Sequence, residues 1–450
     1  MIRVLALLLL GLASGCTVSY LVGDEATDDS ETVRSPVTVS SAPTPSPERP
    51  RNVILFIADG FGPASATLGR GVKGAPLSFD PYLVGSVETS ATDNRVTDSA
   101  ASATAYACGA KSYNGAIAVL PDGLPCRTVL EVAEARGMAT GLVATSRITH
   151  ATPASFAAHV PQRSMEAEIA SQYVTSGVEL LMGGGRPFFI DRTDGRNLAD
   201  ELASAGYTIA LDGEGFAAID GLPVVALLAD SHLAYEIDRD ETDQPSLAEM
   251  TRKAIDLLAA SSGDEGFFLM VEGSRIDHAG HANDVIGHTH DILAFDAAVE
   301  EGLAFARGDG NTLVVSTADH ETGGMTLGRD GDYYWNPEPI RAATASFEAM
   351  VGAIESGADP IETIRAGVGM DELPDGVEGR LRAAFAETDR EALSTLLDEL
   401  TSVPAGIGWT TGGHTAVDVG LYAFGPGSEP FERAMTNDAV GRALFEAMGF

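Results

Sequence analysis

Short apolar runs alternate with amphipathic stretches along most of the chain. The run Asn52 to Ala58 has no polar alternation after its first residue, the pattern of a parallel strand covered on both faces. Similar runs follow at Thr140–Thr145, Val178–Met182, Gly266–Val271 and Thr312–Thr317, and another at Val417–Phe424. Between them, helical periodicity predicts helices over Thr128–Arg136, Leu247–Ala260 and Ile292–Ala306. Strands alternating with helices predict an α/β layered fold around a mainly parallel sheet. Residues 341–400 carry helical periodicity without a cluster of ligand-type residues, so a small helical insertion is expected at the surface over about 330–410. No internal repeat is visible.

The N-terminal region has a different pattern. Arg3 precedes the apolar run Val4–Leu10, too short to span a bilayer, so residues 1–15 read as a signal peptide. The small residues ahead of Cys16 resemble a bacterial lipobox, which predicts lipid on Cys16 and attachment to a membrane. Ordinary signal-peptidase cleavage nearby is the alternative, and both outcomes export the protein to the periplasm or cell surface. Residues 16–50 are acidic and proline-rich with few large apolar side chains, so they are expected to be a tether. A catalytic domain is expected over 51–450.

Composition narrows the function. The chain has 450 residues with 65 acidic and 28 basic side chains, a net charge of −37. Phosphate backbones need basic patches, so nucleic-acid binding is not expected. Only Lys73, Lys111 and Lys253 are lysines. Such a surface suits a salty medium or simply keeps an exported protein soluble. Three cysteines exclude a disulfide scaffold. Export permits a Cys108–Cys126 bridge, while the small-residue helix expected over Ala100–Cys108 equally suits a buried free thiol.

Ligand-type residues gather where strands end, which is where open α/β sheets place their sites. Asp59 follows the first run, Glu272, Asp277, His278 and His281 follow the fourth, and Asp319 and His320 follow the fifth. His414 stands just ahead of Val417–Phe424. Asp277 and His281 are spaced i, i+4, so a helix would present both to one metal ion. Carboxylate plus imidazole is a zinc-type donor set. His288 and His290 are read as structural. Ser99, next to Asp98, stands at the start of the small-residue helix, where backbone N–H groups favour an anion. Asp98 or Ser99 would cap that helix. No Gly-x-Ser-x-Gly elbow surrounds Ser99, so a metal rather than a catalytic triad would have to activate its hydroxyl.

These motifs closely resemble those of the alkaline phosphatases. The resemblance rests on Ile57-Ala58-Asp59-Gly60, Asp98-Ser99-Ala100, Thr149-His150-Ala151-Thr152-Pro153, Val271-Glu272-Gly273, Asp277-His278-Ala279-Gly280-His281, Thr317-Ala318-Asp319-His320 and Gly413-His414-Thr415. It implies a three-layer α/β sandwich that hydrolyses small phosphate monoesters through a phosphoserine on Ser99. It implies two zinc ions and a third ion, normally magnesium. Asp277, His281 and His414 match the first zinc site, and Asp59, Ser99, Asp319 and His320 match the second. Asp59, Thr152 and Glu272 match the third. Arg163 matches the arginine that clamps phosphate, oriented by Asp98. His150 and His278 fall at two variable positions of the family; His278 would reach phosphate through water, and His150 would be a ligand or neighbour of the third ion. A homodimer is implied by the family's habit. A phosphodiesterase of the same superfamily and a non-catalytic phosphate- or metal-binding lipoprotein are the competing readings. A sulfatase is not expected, because no Cys-x-Pro-x-Arg or Ser-x-Pro-x-Arg motif appears.

Overall fold

The computed structural model describes residues 49–450. The expected signal peptide, Cys16 and nearly all of the expected tether lie outside the described residues. Fourteen strands occur among those residues: β1 (Asn52–Ala58), β2 (Leu83–Glu88), β3 (Ala139–Arg147), β4 (Leu180–Gly184), β5 (Thr208–Ala210), β6 (Val224–Leu227), β7 (Phe267–Gly273), β8 (Thr312–Ala318), β9 (Glu321–Thr322), β10 (Thr326–Leu327), β11 (Ile407–Gly408), β12 (His414–Thr415), β13 (Val419–Phe424) and β14 (Met435–Thr436).

Ten of them form one sheet in the order β14-β2-β13-β8-β1-β7-β3-β4-β6-β5. All its pairings are parallel except those of β13, which runs antiparallel to both β2 and β8. Every residue of β1, β7 and β8 is buried. Helices cover both faces, which is why these strands are apolar runs rather than alternating ones. Each large apolar side chain so buried contributes about 1.5–3 kcal/mol against exposure. The α/β sandwich expected from the sequence is therefore present.

The helices start where local chemistry starts them. Thr128 and Glu131 form a reciprocal capping box ahead of Val129–Ala135, as do Ser246 and Glu249 ahead of Leu247–Ser261. The helix foreseen at Ile292–Ala306 is longer, Val285–Asp309. Its first turns bury polar His288, Thr289 and Asp291 beside apolar residues, which hides the periodicity there. Strands β2, β5, β6 and β14 were not foreseen; they are short, and most lie toward the sheet's edges.

The insertion is a set of helices from Glu338 to Ala405. It is more than a surface appendage. Ile340, Phe347, Met350, Ile364, Leu381 and Leu397 build a second apolar cluster that also takes in Leu68, Val72, Val285 and Ile286 of the main body.

Cys108 and Cys126 are joined as a disulfide, with Cα atoms 5.9 Å apart. This resolves the choice between bridge and free thiol. All three lysines are engaged. Lys73 Nζ lies 2.6 Å from Asp296, Lys111 Nζ donates to Ser90, and Lys253 Nζ donates to the carbonyls of Phe216, Ala217 and Ile219. Among the described residues, no helix is long and apolar enough to cross a membrane.

Candidate active site

Sheet register assembles the centre of the site. Ala58 of β1 pairs with Ala318 of β8 on one side and Gly273 of β7 on the other. Asp59 and Asp319 therefore leave their strands at one level, with Glu272 beside them on β7. Gly60 follows Asp59 with φ +79°, and a Cβ there would stand 2.7 Å from Asp277 Cα. Glycine at this position allows the loop after β1 to close onto the helix Arg275–His281, which carries Asp277. On β4, a Cβ at Gly184 would meet Ser231 O at 1.8 Å. That close approach brings in the loop that carries His232.

Asp59, Glu272, Asp319 and His320 are fully buried. Asp319 Oδ1 accepts from the N–H groups of Gly60 (3.1 Å) and His320 (2.9 Å). Glu272 Oε2 accepts from Ser146 Oγ at 3.3 Å. The remaining oxygens are bare: Asp59 Oδ1 and Oδ2, Asp319 Oδ2, Glu272 Oε1 and Thr152 Oγ1 have no hydrogen-bond partner among the described residues. Burial, then the neighbouring carboxylates Asp319, Asp277 and Glu272, hold Asp59 well above the usual carboxylate range. Burial lifts Glu272 to about 7 and Asp319 to about 6. Buried carboxylates this close need protons or cations between them.

The second cluster is wetter. His281 Nδ1 lies 2.7 Å from Gly412 O, and His414 Nδ1 lies 2.9 Å from Thr97 O. A carbonyl only accepts, so in the neutral rings Nδ1 carries the proton and Nε2 presents a lone pair. The two Nε2 atoms are 3.1 Å apart, with Asp277 Oδ2 3.4 Å from His281 and Oδ1 3.5 Å from His414. The Asp277 contact raises His281 to about 9, so a proton holds this position unless a metal ion displaces it. Thr322 Oγ1 donates to Asp277 and lies 3.2 Å from His320 Nδ1, which orients both. Three groups thus have metal-ligand spacing, with donor atoms inside 4.8 Å: Asp277, His281 and His414; Asp59, Asp277 and His320; and Asp59, His150 and Glu272.

Ser99 stands beside these groups. Asp98 is the N-cap of the helix Ser99–Cys108, its Oδ1 accepting from Ala101 N at 2.9 Å. Its Oδ2 takes Gly115 N at 3.0 Å and Arg163 Nη1 at 3.1 Å. Ser99 Oγ lies 3.2 Å from His320 Nε2. His320 Nε2 is in turn 3.3 Å from Asp319 and 3.5 Å from Asp59. Arg163 Nη2 lies 2.9 Å from His150 Nε2, and His150 Nδ1 is buried with no hydrogen-bond partner among the described residues. Thr152 is in the first turn of the helix Ala151–Ala157, next to His150. The structure therefore brings Asp59, Asp98, Ser99, His150, Thr152, Arg163, Glu272, Asp277, His281, Asp319, His320 and His414 into one region.

Two features escaped sequence reasoning. His232 follows β6, its ring centroid 4.3 Å from His278 and 5.8 Å from His150, and its Nε2 lies 2.6 Å from Arg147. The strand-end rule would have found it had β6 been recognised. Arg275 donates from Nη2 to both oxygens of Glu348 at 2.9 Å, while its Nη1 lies 3.2 Å from His278 Nδ1. It joins the insertion to the site, and no motif spacing signals a contact across 73 residues. The structural readings of His288 and His290 fare differently. His288 bridges Ser65 Oγ and Ile276 O at 2.9 Å each, whereas His290 Nε2 has no partner among the described residues.

Known proteins share this architecture. A family profile for alkaline phosphatase matches residues 50–450. Alkaline phosphatase 3 of Bacillus subtilis is 41% identical over 417 residues, 89% of each chain. The cold-active alkaline phosphatase of a psychrophilic Shewanella species superposes with a TM-score of 0.82 at 33% identity, over 89% of this chain and all of the other. A variant alkaline phosphatase from the Antarctic bacterium TAB5, solved with Mg bound in its M3 site, gives 0.68 at 31% identity over 90% and 99%. The chain belongs to the alkaline phosphatase family.

Proposed function

We propose that the protein hydrolyses phosphate monoesters to an alcohol and inorganic phosphate through a phosphoserine on Ser99. The observation that carries this reading is the set of bare, buried carboxylate oxygens of Asp59, Glu272 and Asp319 beside the Ser99 hydroxyl and the Arg163 guanidinium. Their donor chemistry fits cations. In this reading Asp277, His281 and His414 hold one zinc ion, and Asp59, Ser99, Asp319 and His320 hold the second. Asp59, Thr152 and Glu272 hold magnesium. Arg163 can only donate to His150 Nε2, which puts the proton of the neutral ring on Nδ1. His150, within ligand spacing of Asp59 and Glu272, would be a ligand or a neighbour of that third ion. Bound there, the cations supply Lewis-acid activation of the hydroxyl and of water and neutralise charge in the transition state.

The chain's own groups set the geometry. Arg163 is planar and bidentate, matched to two phosphoryl oxygens, and Asp98 holds it in place. Ser99 Oγ gives up its proton to solvent and attacks phosphorus from the Asp319–His320 side, and the bond to the ester oxygen breaks as that oxygen takes a proton from solvent. The alcohol departs toward Asp277, His281 and His414. Water entering from that open side cleaves the phosphoserine, releasing phosphate and restoring the Ser99 hydroxyl. His278 donates to a phosphoryl oxygen through water.

Residues 51–450 act as one catalytic domain, because groups from Asp59 to His414 serve one centre. The Cys108–Cys126 disulfide supports an oxidising, exported location. The test compares hydrolysis of a phosphate monoester and a diester, with and without chelator, together with metal content. Zinc-dependent monoester hydrolysis is expected. A diester preference, or activity that survives complete metal removal, would overturn the reading.

A further inference from the structure

The turn that carries Asp98 is held from a distance. Asp98 caps the helix Ser99–Cys108 by accepting from Ala101 N. A reciprocal cap also needs an acceptor for the N–H of the capping residue itself, normally a Glu or Gln side chain at the third helical position. Ala101 occupies that position and offers none. Asn114, 16 residues farther along the chain, supplies it: its Oδ1 accepts from Asp98 N at 2.9 Å. Its Nδ2 donates to Val96 O at 3.1 Å. One donor and one acceptor together fix which way round the amide lies. The side chain thus grips the backbone on both sides of Thr97.

The same segment reaches the arginine. Gly115 O accepts from Arg163 N at 2.7 Å, and Ile117 exchanges two backbone bonds with Val160, at 3.0 and 3.1 Å. Gly115 has φ +92°, and a Cβ there would stand 2.8 Å from Gln162 Oε1, so glycine lets the two segments close this far. Residues 114–117 form a strut between the turn before Ser99 and the segment that carries Arg163. The strut meets Asp98 twice, at its N–H and at Oδ2, and Oδ2 also holds Arg163 Nη1.

We propose that Asn114 is a positioning residue for the phosphate clamp. It acts through Asp98: by fixing the Asp98 backbone it fixes where Oδ2 stands, and with it the plane of the Arg163 guanidinium. The inference rests on the phosphomonoesterase reading and adds a residue to its machinery. A bond that only steadied the loop would matter equally with and without Arg163. A bond that aims the guanidinium matters only while Arg163 is there to be aimed, so the two substitutions must be strongly non-additive.

The test is a double-variant cycle on the metal-loaded full chain. Asn114→Ala and Asn114→Leu each remove both amide bonds, and the second also keeps a side chain of similar size. Each should lower kcat/KM for p-nitrophenyl phosphate by about tenfold or more, and weaken inhibition by inorganic phosphate by a similar factor. In an Arg163→Ala background, either substitution should change both quantities by less than about twofold. Equal losses with and without Arg163 would overturn the proposal. So would wild-type kinetics in both variants, or the failure of both to fold. Calorimetric binding of inorganic phosphate separates this claim from turnover. If the wild type hydrolyses no monoester, the functional reading fails on its own. Phosphate affinity that Asn114→Ala lowers only while Arg163 is present would still uphold the positioning role. Affinity lost equally in both backgrounds, or no phosphate binding by the wild type, would sink it.

Discussion

The strand-end site and the inserted helices meet at Arg275, yet they are built on opposite terms. At the strand ends, charged side chains are completely buried and several of their oxygens accept no hydrogen bond among the described residues. Among the inserted helices, charges sit at the surface in ordinary pairs such as Arg380–Glu399 and Arg365–Glu362, and burial is left to leucine, isoleucine and phenylalanine. Exposed pairs of that kind contribute little, about 0–1 kcal/mol each. Bare buried carboxylates cost the fold stability until a cation reaches them. The contrast shows which region was shaped by chemistry and which by packing.

Substitutions can break that contrast. Ser99→Ala should reduce kcat by at least about 10³-fold, with metal content by atomic emission unchanged. Leu381→Ala, in the insertion's core, should instead cost about 2–5 kcal/mol of stability and keep kcat within about threefold. If the two variants lost turnover equally, the division of labour would be wrong. Arg163→Lys keeps the charge and loses the bidentate fork, so kcat/KM for a phosphate monoester should fall about 10- to 100-fold. A full retention of kcat/KM would remove Arg163 from the phosphate clamp.

Two smaller effects sharpen the comparison. Cys108→Ser with Cys126→Ser opens a loop spanning 18 residues. That loop also carries Gly115, which holds Asp98. About 3 kcal/mol should be lost in chemical denaturation, and reductant should add nothing further in the double variant. The last effect depends on pH. Burial raises Asp291 from its usual value near 3.8 to about 8, against the opposing pull of Arg275 and the Glu236 N–H. The folded state thus keeps a proton that the unfolded chain releases, so stability falls as pH rises from about 4 to 8 and levels off above. Asp291→Asn cannot ionise. Its Tm relative to wild type should rise by several degrees between pH 5 and pH 9, and a constant difference would contradict the assignment.

Much of this was legible in the sequence, for identifiable reasons. β1, β7 and β8 announce themselves because both faces are buried, and Asp59 and Asp319 follow directly. Glu272 was placed just past its strand, whereas β7 runs on to Gly273 and keeps it inside the ladder. β6 has only four residues, so His232 went unseen with it. The insertion's helices were visible through their periodicity. Their contact with the site was not, because Glu348 and Arg275 meet only through tertiary packing. Asp98 and Ser99 were both plausible caps until the bond from Ala101 N to Asp98 Oδ1 assigned the role to Asp98.

The scarcity of lysine has a practical side. Amine-reactive reagents need a free, deprotonated amine, and each of the three ε-amino groups is already tied to an oxygen of the fold. Acylating dyes and aldehyde cross-linkers would find little to attack on the side chains of this protein. Carbodiimide coupling through the abundant surface carboxylates offers the workable route to a support or a label, and it would leave Arg163 and the buried acids untouched.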